Sequence, residues 1–367
     1  MVRSVWHDIL ATGVEEGASD WHMREGSTVG LRVDGSLLEV EFVTSSEFIR
    51  EGLQQTMPER LWPVYQETGD ADYGFEEESV GRFRVNLHRQ RGLMSLALRH
   101  VKERVPSVGE LGLPEIILRI AESERGIVFV TGTTGSGKST TLACMIEHLN
   151  QNMNRHLITI EDPIEYAFRD NQCIIEQREV GLDAVSFESA VIHTLRQDPD
   201  VIVIGEMRDT VTFETALQAA ETGHLVLTTL HTQTAAQSIN RILDMYPADE
   251  RDSVRIVLSG MLRGIICQRL IPKAMGSGVV PATEIMINSP IMRKLIAENR
   301  IGRLDAAIEN GREAGMMTFN QCLLGLVNDG VITEEAAMAA SNNPQALEMN
   351  LNGIFLNTDS GSIIGER

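Results

Sequence analysis

Residues 132–140 read GTTGSGKST, in which every residue except Lys138 is Gly, Ser or Thr. Gly132, Gly137, Lys138 and Ser139 satisfy the pattern G-x-x-x-x-G-K-[ST]. The chemistry open to such a loop is anion binding by its main chain. Glycines let successive N–H groups turn inward around phosphate oxygens with no Cβ in the way. A helix starting at Lys138 would aim its positive end at the same anion. Lys138 would reach the β- and γ-phosphates and Ser139 would hold Mg²⁺, while Thr133, Thr134, Gly135, Ser136 and Thr140 complete the cradle. The ligand class implied is a nucleoside triphosphate; a binding loop alone does not establish hydrolysis.

Scission of the terminal phosphate needs a metal, an oriented water and charge compensation at the transferred group. Carboxylates at the ends of neighbouring parallel strands can supply the first two. The run DVIVIGEMRD ends in Glu206, with Gly205-Glu206 where an aspartate is usual. ITIEDPIEY offers Glu161, Asp162 and Glu165, and Pro163 stops the strand so that these acids fall in a strand-end loop. One of them could polarise water while another holds the metal through water; solvated acids in surface loops are the plain alternative. His224 and His231 flank LVLTTL, seven residues apart, and on a straight strand they point to opposite faces. A shared metal is therefore not expected. Each either senses the terminal phosphate and orients the acids, or packs as a structural histidine. RFRV puts Arg82 and Arg84 on one face of a strand, and Arg99 stands on another. Guanidinium groups suit phosphate clamping, with surface ion pairing as the alternative.

Positioning these groups requires strands that end at one edge of a sheet. From about residue 115 the runs GIVFVTG, HLITIEDP, DVIVIGE and HLVLTTLH are short, apolar and separated by helical stretches. That alternation predicts a parallel sheet covered on both faces. Beyond residue 235 the chain reads mostly helical, including RDSVRIVLSGMLRGIICQRL as one helix, interrupted by the strand PATEIMIN. Residues 1–105 read as a smaller α+β domain with a hairpin signal at VDGS, residues 106–114 as a linker holding Pro106 and Pro114, and residues 343–367 as a polar tail, partly disordered. The ATPase-like part spans 115–342.

The chain has 367 residues and a formal net charge of −20, which opposes tight general binding to nucleic acid. It contains no apolar run of membrane-spanning length, and its start lacks the apolar centre of an export leader, so a location inside the cell is expected. Cys144, Cys173, Cys267 and Cys322 lie far apart and read as reduced, packed thiols.

GTTGSGKSTT, ITIEDPIEY, DPDVIVIGEMRD and AAETGHLVLTTLHT resemble the Walker A, Asp-box, Walker B and His-box motifs of the type II/IV secretion ATPase superfamily. GASDWHM, GLRVDG, GRFRVN and SAVIHTLRQDPD are similar to its PilT/PilU-like branch, the ATPases that retract type IV pili. The resemblance covers about residues 5–340. It implies a PAS-like α+β N-terminal domain followed by a RecA-like P-loop ATPase domain. Residues 132–140 would bind nucleotide, with Glu206 as the Walker-B glutamate, which shares Mg²⁺ with Ser139. Glu165 would activate water, and His224 and His231 would be the His-box pair. Arg82, Arg84 and Arg99 would reach the phosphates. Six copies would form a ring on the cytoplasmic side of the inner membrane. The ring would act on a membrane platform protein, alone or with a paralogous retraction ATPase, and without nucleic acid. Extension enzymes carry a four-thiolate zinc site after the His box; only Cys267 and Cys322 follow it here, so that site cannot form. Their long additional N-terminal domain is also not found in these 367 residues. Both features favour retraction. The six-residue retraction signature AIRNLI stands as IMRKLI at 291–296. Three other readings stay open: a motor of a related secretion or DNA-uptake machine, an accessory ATP-binding ring subunit, and a nucleic-acid translocase, against which the acidic charge speaks.

Overall fold

Along GRFRVNLHRQ every second side chain is apolar, and the strand formed there, Gly81–Gln90, buries Phe83, Val85 and Leu87 while its arginines and His88 face outward. The computed structural model describes residues 4–354 and falls into two units. The first unit comprises Met1–Arg104 and Ile164–Phe168. Its strands are β1 (Ala18–Arg24), β2 (Thr28–Val33), β3 (Ser36–Val43), β4 (Asp70–Glu77), β5 (Gly81–Gln90) and β6 (Leu93–His100), in the order β3-β2-β1-β6-β5-β4 with every neighbour antiparallel. The VDGS turn joins β2 to β3, with Asp34 at φ 47° and Gly35 at φ 80°. Helices α1 (Val5–Glu15), α2 (Ser46–Thr56) and α3 (Leu61–Thr68) accompany the sheet. Trp6, Leu10, Ile49 and Leu53 of α1 and α2 share one buried cluster with Trp21, Phe83, Leu96 and Leu98 of the sheet. Trp21 sets its edge against Phe83 at 5.3 Å and donates its Nε1 hydrogen to the Ile9 carbonyl.

The second unit, Val105–Pro163 with Arg169–Arg367, contains β7 (Gly126–Thr131), β8 (His156–Glu161), β9 (Ile174–Glu179), β10 (Val201–Ile204), β11 (Leu225–Leu230), β12 (Leu262–Pro272) and β13 (Val279–Ile287). Their order is β13-β12-β7-β11-β10-β8-β9, parallel throughout except for β13. Helices follow as α4 (Val108–Leu111), α5 (Ile116–Ala121), α6 (Lys138–Asn152), α7 (Phe187–Thr194), α8 (Thr210–Glu221), α9 (Ala235–Leu243), α10 (Arg251–Met261), α11 (Pro290–Ala297), α12 (Leu304–Glu309), α13 (Phe319–Asn328), α14 (Glu334–Ala340) and α15 (Pro344–Leu351). Strands β7, β10 and β11 are buried at every residue, as a sheet covered on both faces demands. Ile127 and Phe129 of β7 join the cluster that holds Phe213 and Ala216 of α8.

Two readings of the sequence are corrected. Residues 251–270 are not one helix. Helix α10 stops at Met261, and β12 begins at Leu262 beside β7. GIIC is buried all round, so its periodicity cannot separate a strand from a core helix. The backbone runs close to its neighbours at Gly264, where a Cβ would lie 3.1 Å from the Met286 carbonyl oxygen. Residues 344–351, read as the start of a tail, form α15, capped by Asn343 with Leu347 fully buried; residues 355–367 lie outside the described residues. Inside the stretch read as a linker, Ser107 and Glu110 form a capping box on α4. All four cysteines are free thiols, three of them buried. No helix of the described residues is long and apolar enough to cross a membrane.

Across β7, β12 and β13, Thr131, Cys267 and Glu284 stand side by side, and Glu284 Oε1 accepts the Ala235 N–H of α9 at 2.8 Å. Burial pushes the Glu284 carboxyl from its ordinary 4.5 up to about 7, helped by Asp305 and opposed by the Ala235 hydrogen bond and Arg269. The folded protein therefore keeps this proton where the unfolded chain loses it. Its contribution is complete below the unfolded value and is lost as pH rises from 4.5 through about 7. Relative to Glu284→Gln, the wild-type protein should lose stability on the order of 3 kcal/mol across that window. Denaturant unfolding of both proteins from pH 5 to pH 8 measures it, and parallel curves would refute a buried, protonated Glu284. In the first unit, Ala for Gly inside a helix normally gains about 1 kcal/mol. Gly52 of α2 is different, because its Cβ would fall 2.2 Å from the Trp6 ring. Gly52→Ala should instead cost about 1–3 kcal/mol, seen as a lowered melting temperature.

Candidate nucleotide site

Strand β7 delivers the chain to Thr131, and the loop that follows turns into α6. Gly132 sits at φ 151°, where a Cβ would lie 2.4 Å from Ser136 Oγ and 2.5 Å from the Gln268 carbonyl oxygen. Gly137 caps α6 in the left-handed region at φ 87°, and a Cβ on it would meet Gln268 Nε2 at 2.7 Å. Helix α6 has no side-chain cap, and no acid in its first turn competes for its positive end. Lys138 is buried, and its Nζ donates to the carbonyls of Gly132 at 2.9 Å and Thr133 at 3.0 Å, so the ammonium lies across the loop. Thr133, Thr134, Gly135 and Ser139 are exposed, Thr140 is half-buried, and Ser136 Oγ is buried with no hydrogen-bond partner among the described residues. An open cleft of about 380 Å³ lies along the loop, walled by Gln233, Gln268, Arg269, Leu270, Ile271, Ala339 and Ala340.

The parallel register brings Glu206 and His231 together. Ile204, the last residue of β10, pairs with Thr228 of β11, and the two chains leave the sheet side by side. Thr229 Oγ1 donates to the Gly205 carbonyl at 2.6 Å, which fixes the turn. The Glu206 carboxylate pairs with the Arg208 guanidinium and stands 3.5 Å from His231 Nε2. His224 is not part of this group. Strand β11 runs in parallel beside β7, Leu225 opposite Gly126 and Leu230 opposite Thr131, so His224 lies at the far end of the sheet, on the order of 20 Å from His231. Its Nδ1 is 3.0 Å from the Ala219 carbonyl. Of the acids after β8, Glu161 accepts from Thr159 Oγ1 at 2.7 Å and Gln177 Nε2 at 3.1 Å, a structural engagement. Asp162 and Glu165 are exposed. Glu165 belongs to the segment grouped with the first unit, where Ala167 N–H donates to the Lys102 carbonyl and the Lys102 ammonium lies over the Tyr166 ring.

On the open face of the first unit's sheet, Arg84 pairs with Arg99 across β5 and β6, and Arg99 with Asp20 across β6 and β1. Arg82, two residues along, faces Glu76. Arg99 Nε donates to Asp20 Oδ1 at 2.7 Å. Partial burial of Asp20 works against its charge, but hydrogen bonds from Ser19 and Arg99 and the Arg99 charge prevail and hold its carboxyl below the usual range. Arg208 and Gln268 were not anticipated from sequence. Arg208 was within reach, since it stands two residues past a carboxylate that needs a counter-charge. Gln268 had no signal, because its partner Thr141 is 127 residues away.

A family model described as type II/IV secretion system protein matches residues 82–335. The chain is 41% identical over 339 residues to the type IV pilus retractation ATPase PilT of Pseudomonas aeruginosa, spanning 92% of this chain and 98% of that protein. It is 40% identical over 342 residues to the type IV pilus ATPase PilU of the same organism, spanning 93% and 90%. Its structure matches the crystal structure of the pilus retraction motor PilT with bound ADP at TM-score 0.85 and 44% identity, spanning 93% and 98%.

Proposed function

This chain belongs to the type II/IV secretion system protein family, and from that membership we propose that it is an ATPase motor that hydrolyses ATP to retract type IV pili. The observation that carries the reading is an intact phosphate loop, residues 132–140, inside a match to a retraction ATPase that runs through both units. In this reading the loop amides and the α6 terminus hold the triphosphate, and Lys138 moves its ammonium from the loop carbonyls to the β- and γ-phosphates. Mg²⁺ suits the donors here: a serine hydroxyl in the first turn of α6, and a carboxylate reached through water. Mg²⁺ takes most of its ligands from phosphate and water, so one or two protein donors suffice. Ser139 and Glu206 would hold it, and it would supply charge neutralisation at the transferred phosphoryl group. Glu165 orients the attacking water. His231, beside Glu206, keeps that carboxylate oriented, and its His-box partner His224 acts from the opposite end of β11, away from this carboxylate. Arg82, Arg84 and Arg99 form the phosphate-responsive set of the first unit.

The working form is a cytoplasmic homohexamer at the inner-membrane face, acting on a membrane platform protein. Work is extracted because ATP, ADP and nucleotide-free forms favour different conformations, and only such differential affinity can shift an equilibrium. A second reading, an accessory subunit working with a paralogous motor, is favoured by the near-equal identity to PilT and PilU, 41% and 40%.

Lys138→Ala should lower ATP turnover at least about hundredfold while leaving the circular dichroism spectrum unchanged; normal turnover in that variant would overturn the site. A deletion strain should carry excess surface pili and fail to twitch, whereas bald cells would indicate assembly. Nucleotide binding by the wild-type protein without steady-state turnover would favour the accessory reading.

A further inference from the structure

Strand β12 outruns β7. Their last pair is Cys267 with Thr131, so the next residue, Gln268, lies alongside the start of the loop. It is a polar side chain only 3% exposed, and both ends of its amide are engaged. Nε2 donates to the Ser136 carbonyl at 2.8 Å, and Oε1 accepts from Thr141 Oγ1 at 2.6 Å. The first bond decides the amide's orientation: the Ser136 carbonyl can only accept, so a flipped amide would set two acceptors against each other there, and the Thr141 hydroxyl, which can donate or accept, then donates to Oε1. The close approach of Gly132 and Gly137 to this residue leaves no space for the loop to shift toward β12.

The consequence lies in the peptide plane. In a trans peptide the C=O and the following N–H point in opposite directions. Drawing the Ser136 carbonyl toward Gln268 therefore turns the Gly137 N–H away from β12. We propose that Gln268 is a positioning residue of the nucleotide site. Through the Ser136 carbonyl it fixes the Gly137 amide as a phosphate donor, and Thr141 fixes Gln268. This rests on reading residues 132–140 as the phosphate cradle. Gln268 touches no phosphate itself; it removes the orientational freedom of a group that does, and so acts on affinity for the phosphate tail.

The test is ADP affinity by calorimetry on the full-length protein, with melting temperature recorded alongside. Gln268→Glu keeps the acceptor for Thr141 but sets a carboxylate oxygen against the Ser136 carbonyl. Gln268→Met fills similar volume and makes neither bond. Both should weaken ADP about five- to tenfold, the scale of one lost hydrogen bond. Gly52→Ala is the control for lost stability alone, and should lower the melting temperature with the Kd unchanged. An ADP Kd within twofold of wild type in Gln268→Met, or equal weakening in Gly52→Ala, overturns the proposal. If Gln268→Glu does not fold, Gln268→Met decides. Lys138→Ala separates the two levels. If it binds ADP as the wild type does, the cradle reading fails; if it does not bind while Gln268→Met binds normally, only the role of Gln268 fails.

Discussion

A phosphate cradle built from main chain must be held in shape by its surroundings, because the side chains that could brace it have been given up. In this protein the brace is β12. Gly132 and Gly137 press against Gln268 at distances no Cβ would tolerate, and the Gln268 amide ties the loop to α6. That contact exists only because β12 is the neighbour of β7, and β12 is held there by β13 on its outer side and by Gly264, where the backbone passes close to Met286 and Ile120. The shape of a nine-residue loop thus depends on a strand more than a hundred residues later in the chain. The parallel order does the rest. It delivers the ends of β7, β10 and β11 to one edge, which is why Glu206 and His231 meet while His224, just before the opposite end of β11, does not.

Charge explains the chemistry of that edge. The chain is strongly acidic, yet there is no acid in the first turn of α6, and the Glu206 carboxylate just past β10 is matched by Arg208. Deeper in the sheet, burial raises the Glu284 carboxyl to about 7, which lowers the cost of burying it below that pH, and its Oε1 accepts the Ala235 N–H of α9. With no acid in its first turn, the positive terminus of α6 stays available to a phosphate.

The parts legible in the sequence are those where backbone chemistry dictates residue type. The loop needs glycines and one lysine at fixed spacing, and strands buried on both faces need unbroken apolar runs. Residues 132–140 and β7, β8, β10 and β11 were readable for those reasons. Strand β12 was not, because a fully buried strand and a fully buried helix leave the same apolar trace, and here the helical period of α10 runs straight into it. Helix α15 was missed because one buried residue, Leu347, anchors an otherwise polar stretch. Gln268 was hidden for a third reason. A buried polar residue declares its role only through partners that the fold supplies. The alternation of RFRV did place Arg82 and Arg84 on one face, but that Arg99 would lie opposite Arg84 depended on register.

That register poses a physical question of its own. Like charges directly opposite on antiparallel strands are unfavourable, and sheets ordinarily mix signs across a pair. This sheet does so beside the arginine pair, where Arg82 faces Glu76 and Arg99 faces Asp20. Asp20, held ionised, answers Arg99 alone, and Arg84 has no ion-pair partner among the described residues. With 52 acidic residues against 32 basic ones, a carboxylate at this point would fit the composition of the chain. Instead a surplus of positive charge, on half-buried Arg84, is kept where its own neighbour repels it. An anion held at this face would relieve that repulsion, and an anion whose charge changed would change the free energy of the face with it, which is the kind of differential affinity that can shift a conformational equilibrium.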